Sequence, residues 1–432
     1  MSFHKIDKWG AIAIVVANMV GTGVFTSLGF QLLDIQNAWS IMLLWIVGGL
    51  VALSGALTYA EIGTAMISNG GEYNYLQQLY HPSLGFVAGF ISIVVGFAAP
   101  IAAACVAFGK YFSMAFFKSS YHSNIISLCV LFFVSSIHLA GIRLGNIFQK
   151  NITLLKILIM LIFLMAFFIP NANPDIFHWH TQQIFSEVFS SAFAVSLIYV
   201  SYAYSGWNAS AYIAAEIDKP QRNLVFSLIA GTLVVTIFYV FLNMAFLYAT
   251  PVEKLKGNVE VGIISAQFIF GKNIGNVIGL LISLLLISTI SSMMIASPRV
   301  LSAMGEHYKL LSVFSKTNQF RSPYIAILLI ALISSIMIIT STFDWLINFI
   351  GITLILFTSL TALGIFILRQ RKNYQPVFKV PLYPITPLFF ILMNLWILIY
   401  VSIQNISALI ISFAIILCGF IIYSIIHRFQ KV

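Results

Sequence analysis

Charge is what this chain lacks. Only 8% of its 432 residues are charged, 12 of them acidic and 22 basic, where a soluble domain carries roughly 25%. So little charge cannot coat a water-facing surface, which excludes a soluble enzyme and a disordered chain. Cysteine is scarce as well. The three present, Cys105, Cys129 and Cys418, lie inside apolar runs at no metal-ligand spacing and read as packing residues, which excludes a disulfide scaffold. Apolar and polar residues do not alternate, which excludes a β-barrel. The formal net charge of +10 does not point to nucleic acid, because no basic, water-soluble stretch exists to bind it. Nucleophile elbow, phosphate loop and zinc motif are all missing. His178-Trp179-His180 has no further ligands nearby and reads as an ordinary loop, and the sequon Asn208-Ala209-Ser210 falls inside an apolar segment by chance. Nothing suggests catalysis or a cofactor.

What the chain has is apolar length. Hydrophobic residues make up 60% of it, and they fall into twelve runs, at about 9–33, 39–66, 84–112, 123–141, 150–170, 185–214, 222–250, 260–298, 323–340, 345–368, 385–404 and 406–426. The spacing predicts an all-α polytopic membrane protein with one transmembrane domain over 1–432 and no extramembrane domain. The first run is too long for a signal peptide and is followed by many more, so it reads as a retained helix. With the N-terminus inside, 16 Lys and Arg fall on the cytoplasmic side and 5 outside (Lys110, Lys118, Lys254, Lys256 and Lys272). That asymmetry fits twelve spans with both termini cytoplasmic.

Two runs are interrupted. Gly21-Thr22-Gly23 falls midway through the first, and Ser205-Gly206 near the middle of the sixth, five runs later. Interrupted segments at corresponding places in two halves point to an inverted-repeat transporter with its site at the bilayer midplane. Backbone groups unwound in hydrocarbon are tolerated only where a cavity or ligand satisfies them. The N–H groups of Gly21, Thr22 and Gly23, at the positive end of a half-helix, suit a carboxylate. The carbonyls of Met19, Tyr202 and Ser205 suit an ammonium group. Together they describe a receptor for a zwitterion. Either glycine cluster taken alone is equally explained by close helix packing, as for Gly85 and Gly89.

One cation, Lys156, is left inside a run. An ionisable residue at that depth marks function, and a lysine that loses and regains its proton could couple transport to a proton; snorkelling to the interface is the alternative. The acids fall in loops or at helix ends, none of them near either break, which favours a substrate with a neutral side chain.

The motifs VGTGVF, YAEIGTAMISNGGEYNYL, SYAYSGWNASAYIAAEI, PQRNLVFSLIAGTLVVTIFYVFLN, SPRVLSAM and FKVPLYPITPLFF occur in that order along nearly the whole chain. In them the chain resembles the amino acid–polyamine–organocation permeases, most closely the L-type amino acid transporter branch. The resemblance implies a leucine-transporter-type fold. Helices 1–5 (about 9–170) and 6–10 (about 185–368) would be inverted repeats with helices 1 and 6 discontinuous, and two appended helices would cover 385–426. It implies that the substrate carboxylate rests on Thr22 and Gly23, and its ammonium on the carbonyls of Met19, Tyr202 and Ser205 beside Gly206. Tyr202 would be the aromatic gate. Lys156 would stand where relatives use a lysine in place of a sodium ion, bridging helices 1 and 8, with Ser288 and Thr289 the nearby oxygens. There are departures: Thr22 replaces the serine of many relatives, and Ser291 replaces an asparagine. The 116–124 loop has no cysteine, so no disulfide-linked heavy chain is expected.

The expected function is secondary active transport of neutral L-amino acids across the cytoplasmic membrane by alternating access, as proton symport or as exchange. The alternative within the fold is a cationic amino acid or polyamine permease or antiporter. A channel would show a repeated filter and a membrane enzyme a clustered acid, base or metal; neither is visible.

Overall fold

The computed structural model describes residues 5–117, 122–140, 155–320, 322–372, 374 and 376–430. Lys118, Arg143, Lys150, Arg321 and Lys431, used above for orientation, lie outside the described residues. Among those described there is no strand, only two isolated bridges, Ile6 to Ile217 and Asn69 to Ile213.

The first apolar run is two helices, α1 (Lys8–Met19) and α2 (Gly23–Gln31). Asp7 caps α1, accepting from the Gly10 N–H at 2.8 Å. α3 (Ala38–Ala65) is the second run, capped by Asn37 on the Trp39 N–H at 2.9 Å. The short α4 (Glu72–Leu79) follows, burying Glu72, Tyr75, Leu76 and Leu79 on one face at helical spacing. The third run is α5 (Pro82–Ile91) and α6 (Ala99–Phe117), continuous through a π-helical stretch at Ser92–Ala98. α7 (Ser123–Leu139) and α8 (Leu155–Phe168) are the fourth and fifth. The sixth is α9 (Thr181–Val188) and α10 (Ser191–Tyr204). The rest of the chain supplies α11 (Pro220–Ala249), the single-turn α12 (Val252–Leu255), α13 (Val261–Phe270), α14 (Lys272–His307), α15 (Tyr324–Thr340), α16 (Phe343–Arg369), α17 (Ile385–Gln404) and α18 (Ile406–Gln430).

Two segments differ from expectation. The 185–214 run is not one helix: Ser190 leaves helical geometry and caps α10, so α9 meets α10 at 70°, and beyond Tyr204 the chain makes only short 3-10 turns. The 260–298 run is two helices. Gly271, at φ +81°, ends α13, and α14 runs from Lys272 through Pro298 to His307. Among the described residues eight helices are long and apolar enough to cross a membrane, or nine with the bent α9–α10 pair; α7, α8 and α15 are apolar but shorter. Cys105 is buried as expected, whereas Cys129 and Cys418 are exposed on the outside of α7 and α18 and pack nothing inside.

The helices pair in a regular way. α2 packs on α10, α3 on α11, α6 on α14 and α7 on α15, so each pair joins one apolar run to the run five places later. α6 and α14 approach closely because Ala102, Ala103, Ala104 and Ala107 of α6 are all fully buried small residues. Burial falls from 72% of the α5–α6 span to 33% of α17 and 17% of α18, which puts the last two helices at the periphery.

At the end of α3, Glu61 is fully buried and takes both arms of the Arg369 guanidinium, at 2.8 and 2.7 Å, in the one ion pair among the described residues. Tyr374 donates to the same carboxylate at 2.6 Å, and the Val380 N–H completes the set. Burial and the Glu61 charge push the Tyr374 phenol above its ordinary range. The cluster ties α3, α16 and the loop before α17 into one unit.

Candidate functional site

The first break is a backbone problem. α1 ends at Met19, Val20 is non-helical at ψ 88°, and the Val20 N–H still bonds back to the Val16 carbonyl at 2.9 Å. The next backbone bond comes from Phe25, whose N–H reaches the Thr22 carbonyl at 3.1 Å. Between them, the N–H groups of Gly21, Thr22, Gly23 and Val24 find no acceptor among the described residues. Thr22 is 3% exposed and Val24 fully buried, so these donors have little water to turn to. Four unpaired donors at the positive end of α2, three of them on buried residues, have the chemistry of an anion site that suits a carboxylate.

The second break faces the first. α10 ends at Tyr204, Ser205 is extended, and Gly206 sits at φ +96°. A side chain at Gly206 would start 2.9 Å from Asn18 Cβ, so conformation and space both demand glycine. Gly23 is equally constrained: a Cβ there would lie 2.4 Å from the Ala203 Cα, so α2 and α10 touch backbone to backbone. Gly21 differs, since a Cβ would meet nothing closer than the Thr289 methyl at 3.6 Å. The Thr22 and Tyr202 hydroxyls are bonded at 2.6 Å, directly closing one break on the other.

The three carbonyls expected to hold an ammonium are not equivalent. Met19 already accepts from the Tyr239 hydroxyl at 2.6 Å, and Tyr202 from the Ser205 N–H at 3.0 Å. Only the Ser205 carbonyl has no donor among the described residues; the other two keep one lone pair each. Tyr239 of α11, which sequence reasoning missed, lies within hydrogen-bond distance of both Met19 and Ala203 carbonyls and packs against Trp45 and Tyr204. It clamps the two breaks from behind. The signal was its place one tyrosine into an apolar run, which reads as core.

Lys156 is 1% exposed. Its Nζ lies 3.3 Å from the Ala17 carbonyl of α1 and 3.3 Å from Thr289 Oγ1 of α14, so α8 sends an amine inward between them instead of outward to an interface. Ser288 is fully buried one residue before Thr289. Two residues beyond it, Ser291 Oγ is 3.0 Å from Nε2 of the buried His138. The His178–His180 pair forms no metal group, and none is found among the described residues.

One sequence inference needs correcting. A carboxylate does stand at a break: Glu72 of α4, 4% exposed, accepts from Asn208 Nδ2 at 2.6 Å, two residues past Gly206. Between runs in the sequence, Glu72 looked like a loop acid; the fold turns α4 under the second break. A second acidic feature is a cavity of about 390 Å³ at the far end of α2, bordered by Phe30, Asp34, Tyr199, Asp344 and Asn348. The Tyr199 hydroxyl donates to the Asp344 carboxylate, and its ring stacks on Phe30 at 5.3 Å, one helical turn from Tyr202.

Comparison with known proteins identifies the family. The profile of the family described as "Amino acid permease" matches residues 6–426. The chain is 29% identical over 386 residues to the serine/threonine exchanger SteT of Bacillus subtilis, covering 88% of this chain and 86% of that protein. It is 26% identical over 404 residues to the b(0,+)-type amino acid transporter 1 of Mus musculus, covering 91% and 82%. To the large neutral amino acids transporter small subunit 2 of the same organism it is 25% identical over 407 residues, covering 91% and 76%.

Proposed function

The chain belongs to the amino acid permease family and is an integral membrane amino acid transporter, not an enzyme, and from that premise we propose that it moves neutral L-amino acids by alternating access. The observation that carries the proposal is the row of four N–H donors at Gly21–Val24, three of them on buried residues, that find no backbone acceptor among the described residues. A zwitterion fits both ends: the carboxylate on the Thr22 and Gly23 N–H groups, the ammonium towards Ser205 and the remaining lone pairs of Met19 and Tyr202. Binding completes the hydrogen bonding of both broken spans, so the loaded site is the one that can move as a unit. The Thr22–Tyr202 bond then acts as the gate that substrate must part.

The wider scheme is of the same kind. Twelve spans with both termini cytoplasmic suit the basic residues, and a 5+5 inverted repeat suits the pairing of each run with the run five later. Lys156 is a cation bridging α1 and α14 and couples the first break to the scaffold. The names of the relatives support both neutral substrates and exchange. The chain works without a disulfide-linked heavy chain, because the 116–124 loop has no cysteine to make one.

A cationic substrate is the second reading, favoured by the acids Asp34 and Asp344 in the cavity and by Glu72 at the second break. The test is uptake into proteoliposomes across neutral and cationic L-amino acids, each with and without unlabelled amino acid inside. Saturable uptake of serine, threonine or larger neutral amino acids, stimulated by internal substrate, is the expected result. Uptake confined to arginine and lysine establishes the second reading, and no uptake of any amino acid refutes both.

A further inference from the structure

The scheme above uses the two breaks and Lys156 and leaves the cavity at the far end of α2 without a role. It stands at the end of the bundle away from both chain termini: α2 finishes there, α16 begins there, and Gln404 and Asn405 mark the turn from α17 into α18. Its volume, about 390 Å³, falls within the range of small-molecule sites, roughly 300–1,000 Å³. No Lys, Arg or His borders it, whereas the acids Asp34 and Asp344 do. Neither acid has a cation, since the one ion pair among the described residues is Arg369 with Glu61. Lys254 and Lys256, just before the Gly257 N–H that bonds to the Gly29 carbonyl at 2.7 Å, pair with neither.

The groups around the cavity are short of donors. The Tyr199 hydroxyl gives its one proton to the Asp344 carboxylate, and Asn348 Nδ2 donates to the Asp344 carbonyl at 2.9 Å and to its carboxylate at 3.2 Å. Tyr199 and Asn348 also touch each other, but with these protons committed, Asn348 Oδ1 stays buried without a donor, on a residue 1% exposed. A buried acceptor in that state calls for a donor from outside the chain. An ammonium brings three N–H groups and the charge that two unpaired acids lack. A metal ion is a poorer fit: no group of three or more metal-ligating side chains is found among the described residues, and the rings of Phe30 and Tyr199, stacked at 5.3 Å, give the cavity an apolar wall that suits an organic cation. The place matters too. Tyr199 lies one helical turn before Tyr202, whose hydroxyl closes the breaks, and Ser27 of α2 bonds to the Tyr199 carbonyl at 3.2 Å. The same two helices therefore carry the cavity, the gate and the first break in that order. We propose that the cavity is an ammonium-binding site that receives the amino group of an incoming amino acid before the gate opens. The proposal rests on the transport reading and deepens it: every amino acid brings an α-ammonium, so the two acids serve neutral substrates as well as cationic ones.

The test uses 2-phenylethylamine, which has an ammonium and no carboxylate, so the N–H row of the first break gains nothing from it. Calorimetric titration of the purified protein in detergent is expected to show binding to the wild type that weakens with added salt. Affinity falls about tenfold in Asp344→Asn and several-fold in Asp34→Asn. Asp344→Asn keeps the shape and an acceptor for Tyr199; Asp34 is exposed, so Asp34→Asn decides the matter if Asp344→Asn does not fold. In proteoliposomes the amine competes with serine, or with whichever neutral amino acid the wild type takes up best. The KM for that amino acid rises in both variants, in the same order, while the maximal rate stays within about twofold. No amine binding to the wild type, equal affinity in all three proteins, or an unchanged KM in both variants overturns the proposal. Absence of uptake of any amino acid, with the pattern of amine binding intact, overturns only the transport reading.

Discussion

Replacing Lys156 by methionine separates what this residue does for the fold from what it does for transport. Alanine is the wrong probe: at 1% exposure, truncation leaves a cavity, and such cavities cost about 2–5 kcal/mol whatever the missing group did. Methionine fills the same space without charge. The two bonds lost are both long, 3.3 Å to the Ala17 carbonyl and 3.3 Å to Thr289 Oγ1. Each is worth no more than about 1 kcal/mol net. No carboxylate pairs with the ammonium among the described residues, so its burial is uncompensated, and removing such a charge recovers about as much as the bonds supplied. Lys156→Met therefore keeps its thermal midpoint in detergent within about 3 °C of wild type. Uptake in proteoliposomes is expected to fall at least tenfold, about 1.4 kcal/mol on the rate-limiting barrier, because nothing then links α1 to α14 at the first break. Two results would refute this reasoning. Normal uptake makes Lys156 a passenger, and a large fall in midpoint makes it a structural residue whose loss of transport follows from unfolding.

The glycines of the first break separate by the same logic. Gly21→Ala places a methyl no closer than 3.6 Å to Thr289 and folds normally, whereas Gly23→Ala puts one 2.4 Å from the Ala203 backbone and lowers the midpoint clearly, by about 1–3 kcal/mol of overpacking; equal melting curves would contradict the close approach of α2 and α10. Tyr239→Phe leaves the buried Met19 carbonyl short of its 2.6 Å donor and costs about 1–3 kcal/mol of stability, to be read by thermal unfolding with and without substrate. Tyr202→Phe loses only its 2.6 Å bond to Thr22, so transport is expected to persist with faster exchange at the gate, and complete inactivation would give the hydroxyl a larger part. Arg369→Met strands the buried Glu61 charge and costs about 3–5 kcal/mol; Arg369→Lys recovers little, since one ammonium cannot replace the two-armed contact, and a fully stable lysine variant would refute that.

Much of this was legible in the sequence because bilayer constraints are written in composition. Apolar length located the helices, and the glycines of Gly21-Thr22-Gly23 and Ser205-Gly206 located the breaks, since unwinding in hydrocarbon needs residues that tolerate it. Two other helix ends inside apolar runs were not legible. Gly271 and Ser190 divide segments that hydropathy joins, because hydropathy reports burial and is blind to a single left-handed glycine or a serine cap. Within the site, residues with an unusual chemistry for their surroundings stood out, as Lys156 did. Tyr239 did not, because a tyrosine in a buried helix is ordinary until its hydroxyl is seen on two carbonyls from different helices. Glu72 was missed for the opposite reason: an acid between apolar runs is ordinary too, until the chain folds it beneath one of them.

The two buried carboxylates near α3 show why the same residue type supports different roles. Glu61 has a guanidinium, a phenol and a backbone N–H on its two oxygens, so its charge is matched and its geometry over-determined. Such a group ties parts together and has no reason to change state. Glu72 has neutral donors, the Tyr59 hydroxyl and Asn208 Nδ2, and no ion pair among the described residues. Lys156, across the site, has one carbonyl and one hydroxyl at 3.3 Å and no acid among the described residues. Buried ionisable groups without an ion partner are costly to keep, and a scaffold built only for stability would replace both with apolar side chains. A zwitterion brings no net charge into the site, whereas a cationic substrate needs an acid to offset it, and Glu72 is the acid that stands at a break. The model substrate pair that distinguishes these is serine against lysine in the Glu72→Gln protein. Serine transport is retained if the site is built for zwitterions, and lysine transport, where the wild type has any, falls with the loss of the carboxylate.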